Sequence, residues 1–429
     1  MTRLAYALAW WLAAPAAILR LWWRGRRLPG YRERIGERFG RYEPVEAAPR
    51  IWVHAVSVGE TRAAVPIIEV LRARYPGHRI LITHMTPTGR ATGEELFGDG
   101  VERAWLPYDM GFAVRAFVRH FRPVLGVVLE TEIWPRLLQE CADAGIPVVL
   151  ANARLSERSA RRYARVPALA RWALANLAGI AAQGEDDARR FRELGAREVA
   201  VTGNVKFDLE VPADIAERAS RLRALFGESR AVWVAGSTRE GEEALLLDAL
   251  AAMPPEVLLV LVPRHPQRFV EVAALARARG FEPALRSAAA AIAPATRVVV
   301  GDTMGEMLAY YGAADVVLVG GSLLEYGSQN LIEACALGKP VIFGRHTYNF
   351  EQAAEGALAA GAAIRVEDAA GAMGAALALT RDAQRRASMG ESGRAFVQAH
   401  RGATARLAVV LDAGKLAPGP KLRERSGRG

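Results

Sequence analysis

Cysteine is nearly absent from the 429 residues: only Cys141 and Cys335 occur, each in an apolar, helix-like stretch. No disulfide framework and no CxxC metal knuckle can be built from them, which agrees with a reducing compartment. Acidic residues are scarce at the start of the chain, where residues 1–41 carry nine arginines against Glu33 and Glu37. Internal repeats are missing apart from one doubling of an α/β rhythm. The core also has no basic platform interleaved with aromatics, so nucleic acid is the least expected partner of a chain with net charge +10.

The basic start is explained by what lies inside it. Residues 4–23, LAYALAWWLAAPAAILRLWW, are almost wholly apolar. As a helix they span about 30 Å, close to a bilayer core. The tryptophans suit the interface, and Arg24, Arg26 and Arg27 would stay on the cytoplasmic side. The basic residues follow the apolar run and no small-residue cleavage site precedes them, which argues against a signal peptide. Arg20 and Pro15 weaken a full span, so an in-plane interfacial helix is the alternative. An anionic membrane surface is the expected partner in both cases.

The chain is too long for one typical core, and half of it is hydrophobic, at 51%. Strand-like and helix-like segments alternate through it, as in an α/β protein with wound parallel sheets. In the first half, apolar runs at 51–56, 79–83, 124–129 and 147–151 end in polar turns. A second set follows residue 203, with runs at 232–235, 257–262, 297–300 and 314–319. Open parallel sheets bind ligands at the carboxyl ends of their strands, so these turns line the expected clefts.

The stretch 319–350, VGGSLLEYGSQNLIEACALGKPVIFGRHTYNF, carries the most information. A strand-like run enters the pair Gly320-Gly321. The turn Gly327-Ser328-Gln329-Asn330 then opens an apolar helix bearing Glu333. A glycine turn feeding a helix N-terminus offers unpaired N–H groups to an anion, and Glu333 could reach sugar hydroxyls beside it. A nucleotide or nucleotide-sugar seat is one reading; an ordinary strand, loop and helix is the other.

Seven motifs occur in order. They are residues 34–40 (RIGERFG), 54–60 (HAVSVGE), 130–135 (ETEIWP), 152–159 (NARLSERS), 203–208 (GNVKFD), 263–265 (PRH) and the 319–350 stretch. In this order the chain resembles the 3-deoxy-D-manno-octulosonic acid (Kdo) transferases of lipopolysaccharide assembly, from its anchor to near its C-terminus. The resemblance implies a GT-B fold, two Rossmann-like domains facing across a cleft. It implies transfer of Kdo from a CMP-Kdo donor to a lipid A precursor acceptor, lipid IVA, at the cytoplasmic face of the cell inner membrane. Inversion and independence of metal or cofactor are implied with it. The expected organisation is an anchor with a basic flank (1–27), an acceptor domain (28–202), a CMP-sugar donor domain (203–414) and a basic disordered tail (415–429).

By similarity Glu37 is the catalytic base that takes the acceptor proton as CMP departs. By its residues alone it is a glutamate of an Arg-rich helix, paired with Arg41 or Arg34. Glu130, ending a strand, is the second catalytic candidate, with Glu132, Ser57 and Gly59 binding substrate; pairing of the two acids with Arg136 is the plainer reading. On the donor side the leaving phosphate calls for N–H groups of the Gly236-Ser237 and Ser328-Gln329-Asn330 turns, with the cations Lys206 and Arg264. The plain alternative for both cations is a solvated surface charge. Similarity assigns Gly236 and Ser237 to phosphate, Arg264 with Met304, Gly305 and Glu306 to the cytidine part, and Asn330 with Glu333 to the CMP end.

Gln329 stands where the family usually has histidine, and Leu331 where a proline often follows. Glutamine keeps hydrogen bonding and gives up any positive charge, so the donor contact at this position departs from the family's pattern. Two rivals remain at this level: a GT-B enzyme using a UDP-sugar, and a membrane-anchored nucleotide-binding protein without transfer.

Overall fold

The computed structural model describes residues 2–26 and 28–415. Of the expected basic tail only Lys415 is described, ending a helix; the rest, like Arg27, lies outside the described residues. The chain divides into two compact units, one running to Asp208 and resuming at Gly402, the other comprising Leu209–Arg401.

The first unit holds a parallel sheet of seven strands: β1 (Arg50–His54), β2 (Arg79–His84), β3 (Glu102–Trp105), β4 (Pro123–Leu129), β5 (Val148–Ala153), β6 (Gly179–Ala182) and β7 (Val199–Val201), in the order β3-β2-β1-β4-β5-β6-β7. The strand order reverses between β1 and β4, the switch point where such sheets hold ligands. Helices cover both faces, so the central strands are buried on both sides and read as continuous apolar runs: Ile51, Trp52 and Val53 are wholly buried.

The second unit repeats the plan with β8 (Val232–Thr238), β9 (Leu258–Pro263), β10 (Ala284–Leu285), β11 (Val298–Val300), β12 (Val316–Val319), β13 (Val341–Phe343) and β14 (Ala363–Arg365), ordered β10-β11-β9-β8-β12-β13-β14. Its switch point falls between β8 and β12.

The expected boundary at 202/203 differs from the contact division at 208/209 for a tertiary reason. Asp208 accepts the Gly402 and Thr404 N–H groups, both at 2.6 Å, and so caps the returning helix Ala403–Lys415. Ala403, Leu407 and Leu411 of that helix then bury themselves against Ile51, Ile67 and Leu125 of the first unit.

The N-terminal apolar stretch is a helix, Thr2–Arg24, continuous through Pro15, and long and apolar enough to cross a membrane. One stripe of it rests on the first unit. Trp10, Ala14, Ala17 and Leu21 pack with Tyr108, Met110 and Ala113, and the Tyr6 hydroxyl donates to Asp109 at 2.7 Å. The other face exposes Leu4, Leu8, Trp11, Leu12, Leu19, Trp22 and Trp23.

Candidate functional site

In the first unit, polar side chains gather at the β1/β4 switch point. β1 ends in His54, and Ser57 caps the following helix, Val58–Arg74, its Oγ accepting the Glu60 N–H. Glu60 reaches back past the cap, accepting from the Ser57 hydroxyl at 2.9 Å and from the Val56 N–H, one residue before the cap, at 2.8 Å. Gly59 is exposed on the first turn of that helix. Burial, and then the Glu130 carboxylate, push the Glu60 carboxyl up to about 8. Glu130 follows β4 with φ +57, a left-handed conformation uncommon for a glutamate, and its Oε1 accepts from Lys206 Nζ at 2.8 Å. Glu132 accepts from Trp134 Nε1 at 3.0 Å and lies 3.9 Å from His54 Nε2.

Two expectations change here. Lys206, read as a cation of the donor domain, belongs to the first unit and is paired with Glu130, because residues 203–208 pack there. Arg136 pairs with Glu140 on its own helix, one turn on, and not with Glu130 or Glu132.

Glu37 sits apart from this group. Its segment is a short 3₁₀ helix, Ile35–Phe39, and it is buried. Trp105 N–H, at the end of β3, donates to its Oε2 at 2.7 Å. Arg34 lies 3.4 Å from Oε1 and Arg90 4.0 Å from Oε2, so the expected Arg34 pairing forms and the Arg41 pairing does not. With β2 and β1 between β3 and β4, and strands roughly 4.8 Å apart, Glu37 and Glu130 are on the order of 14 Å apart along the sheet edge. They are two sites and not a carboxylate pair.

In the second unit, the carboxyl ends of four adjacent strands carry the remaining candidates. Gly236 and Ser237 lie within β8 and not in a turn, Ser237 with φ +57. A Cβ at Gly236 would stand 2.4 Å from the Tyr311 hydroxyl, and one at Gly320 2.4 Å from the Ser237 carbonyl oxygen, so glycine is what lets β8 and β12 close at the switch point. Tyr311 is buried and its phenol is pushed up by burial; the Glu333 charge adds to the shift and Arg264 opposes it. Gly236 thus packs against Tyr311, whose phenol also feels the charges of Glu333 and Arg264.

Asn330 Nδ2 donates to Glu333 Oε1 at 3.0 Å, while its Oδ1 accepts the Ile332 N–H. The 319–350 turn differs from its expected form. The helix it opens, Ile332–Ala336, has five residues, and the N–H groups of Ser328 and Gln329 are already spent on the carbonyls of Gly321 and Gly320. Those two donors are the fold's own, because Gly321 at φ +70 turns the loop back on itself.

After β9, Arg264 N–H bonds the Thr238 carbonyl, and His265 Nε2 lies 3.2 Å from Arg239, which also stacks 4.6 Å from the Tyr326 ring. After β11, Glu306 holds Arg286 at 3.1 Å and the Thr303 hydroxyl, Met304 is exposed, and Gly305 takes φ +75.

Glu242 carries a role that sequence reasoning missed. It is 1% exposed and accepts the N–H groups of Gly321 at 2.6 Å, Leu323 at 2.9 Å and Arg239 at 2.9 Å. One carboxylate therefore folds both the β8 and the β12 loops. Beside it, Glu243 is buried against Arg268 at 2.7 Å. The available signal was two adjacent acids directly after Gly241, at a helix start. Among the described residues no three His, Cys, Asp or Glu side chains gather as metal ligands.

Comparison with known proteins matches residues 33–209 to the 3-deoxy-D-manno-octulosonic-acid transferase (kdotransferase) family model. The 3-deoxy-D-manno-octulosonic acid transferase of Bordetella pertussis is 44% identical, covering 96% of this chain and 99% of that one. That of Haemophilus influenzae is 38% identical over 89% and 92%. In fold, the chain is like Anabaena HepE, solved in complex with UDP-glucose: TM-score 0.56 at 16% identity, covering 85% of this chain and 98% of that one. Two wound seven-stranded sheets and this fold likeness make the architecture GT-B. Identity carried through nearly the full length of curated relatives does more than fold likeness can: the chain belongs to the 3-deoxy-D-manno-octulosonic acid transferase family and is a glycosyltransferase.

Proposed function

We propose that this chain transfers Kdo from CMP-Kdo to the lipid A precursor lipid IVA, with inversion and without a metal, at the cytoplasmic face of the cell inner membrane. The observation that carries the reading is Glu37, the carboxylate of the RIGERFG motif, oriented by the Trp105 N–H on one oxygen and Arg34 on the other. In this reading Glu37 takes the proton of the acceptor hydroxyl as that oxygen bonds the anomeric carbon. The bond from that carbon to the phosphate oxygen breaks, and CMP leaves.

Glu130 serves beside the acceptor, with Lys206 balancing its charge and Ser57, Gly59 and Glu132 around it. The second unit holds the donor. Gly236 and Ser237 let the phosphate approach the β8 backbone, Arg264 supplies the cation, and Met304, Gly305 and Glu306 meet the cytidine part. Asn330 and Glu333 hold the CMP end, with Gln329 beside them. The Ser328 and Gln329 amides being spent, side chains carry more of the anion recognition than a helix N-terminus would.

The helix Thr2–Arg24 is read as lying in the membrane plane. A helix with Tyr6, Trp10, Ala14, Ala17 and Leu21 against protein and a tryptophan- and leucine-rich stripe outside matches an interfacial helix better than one ringed by lipid.

The test is incubation of the purified chain in detergent with freshly generated CMP-Kdo and tetraacylated lipid A precursor, then mass spectrometry of the lipid. Gain in whole Kdo units is expected, and Glu37→Ala should keep CMP binding and lose transfer. No gain with CMP still bound would defeat the reading.

A further inference from the structure

Two tyrosines stand side by side on the helix Met307–Ala313, Tyr310 wholly buried and Tyr311 1% exposed, and their hydroxyls fare differently. The Tyr310 hydroxyl pairs with that of Thr303 at 2.9 Å. Thr303 spends its own proton on Glu306, so Tyr310 is the donor of that pair. The Tyr311 hydroxyl makes no hydrogen bond with any described residue. Buried phenols ordinarily find a partner, because a hydroxyl taken out of water without one costs free energy. Phenylalanine would fill the same space without that cost.

The hydroxyl also stands at a particular place. Side chains on a helix lean toward its N-terminus, and this helix starts directly after Met304-Gly305-Glu306, in the loop that follows β11. The Tyr311 ring thereby reaches the β8/β12 switch point. Its edge and its hydroxyl lie against the Gly236 backbone, where a Cβ would stand 2.5 Å from the ring and 2.4 Å from the oxygen. Burial, and then the Glu333 charge, keep the proton on the phenol against the opposing pull of Arg264. What Tyr311 presents at Gly236 is therefore a neutral donor without an acceptor. Hydrogen bonds to charged groups are roughly twice as strong as neutral ones, so an oxyanion drawn to that backbone gains most from it.

We infer that the Tyr311 hydroxyl is a further donor-binding group, giving its hydrogen bond to a phosphate oxygen of the CMP moiety at Gly236. This role rests on the reading of the second unit as the CMP-Kdo seat. The tyrosine is unsatisfied in the protein alone because its acceptor arrives with the nucleotide.

The experiment compares wild type and Tyr311→Phe as full chains in detergent. Calorimetric titration with CMP, displacement of CMP by cytidine, and urea midpoints without ligand are measured for both. The variant keeps the ring and loses only the hydroxyl. Its CMP Kd should rise about tenfold to a hundredfold, the scale of a hydrogen bond to a charged group. Its cytidine affinity should match that of wild type, and its urea midpoint should equal or exceed the wild-type value, since an unmet buried group has been removed. An unchanged CMP Kd overturns the assignment. Equal weakening of CMP and cytidine gives the hydroxyl to the nucleoside and overturns it too. A lower midpoint for Tyr311→Phe means that the hydroxyl is already satisfied within the fold, and this likewise overturns it. Wild type failing to bind CMP would instead overturn the reading of the second unit as the donor seat, and the role of Tyr311 with it.

Discussion

Removing the Glu242 carboxylate should unfasten the loops of the second unit from the inside. Glu242→Ala leaves three backbone N–H groups, those of Gly321, Leu323 and Arg239, without their acceptor. A buried donor left unsatisfied costs about 1–3 kcal/mol. Three of them set a ceiling of about 9 kcal/mol by the same figure. Water can reach the Arg239 amide more readily than Gly321, so the expected loss is about 3–5 kcal/mol.

The loss should appear locally before it appears globally, because the carboxylate joins two loops rather than two core layers. Amide hydrogen exchange followed by mass spectrometry reads this directly. Peptides spanning 320–325 and 237–241 should exchange about two to four orders of magnitude faster, at about 1.4 kcal/mol per decade, while peptides of β1 and β4 keep their protection. CMP binding should weaken in parallel. Glu242→Gln, which keeps the volume and one acceptor oxygen, should fall between. If Glu242→Ala leaves exchange of those peptides unchanged, the carboxylate is not what holds the switch-point loops and the reasoning fails.

Glu60 predicts a pH dependence. Its carboxyl is raised to about 8, chiefly by burial, so the folded state prefers it protonated; that contribution is complete below the unfolded value and is lost as pH rises through about 8. Glu60→Gln should therefore gain stability relative to wild type between pH 6 and pH 9, read from urea midpoints, and an equal difference at both pH values would contradict the burial argument. Glu130 and Lys206 should be coupled: in a double-mutant cycle of Glu130→Gln and Lys206→Met the interaction should amount to about 1–3 kcal/mol, since the 2.8 Å pair is mostly buried. Additive effects would place the two residues in independent roles.

The strands were legible because parallel strands buried on both faces must be continuous apolar runs, and runs such as 232–235 have few other uses in a chain of this composition. The turns were legible because each ends in glycine or a capping residue, as Ser57 does. Helix length after Asn330 was not, since the five residues Ile332–Ala336 fit a helical turn or a longer helix equally well. The partners of the site residues were not legible either. Glu37 met Trp105 and Arg90 through contacts 68 and 53 positions away in sequence, and a backbone N–H leaves no trace in side-chain pattern.

Two decisions belonged to tertiary structure alone. Lys206 joined Glu130 because the chain crosses back at Gly402 and Asp208 caps the returning helix, an arrangement that no local propensity encodes. The Ser328 and Gln329 amides were consumed by the carbonyls of Gly321 and Gly320, so an anion site expected from a motif became a closed loop. What the sequence determined by itself was the family, the doubled α/β plan and the apolar helix. Periodicity and motif order are properties of the chain, whereas which donor meets which acceptor depends on how distant segments pack.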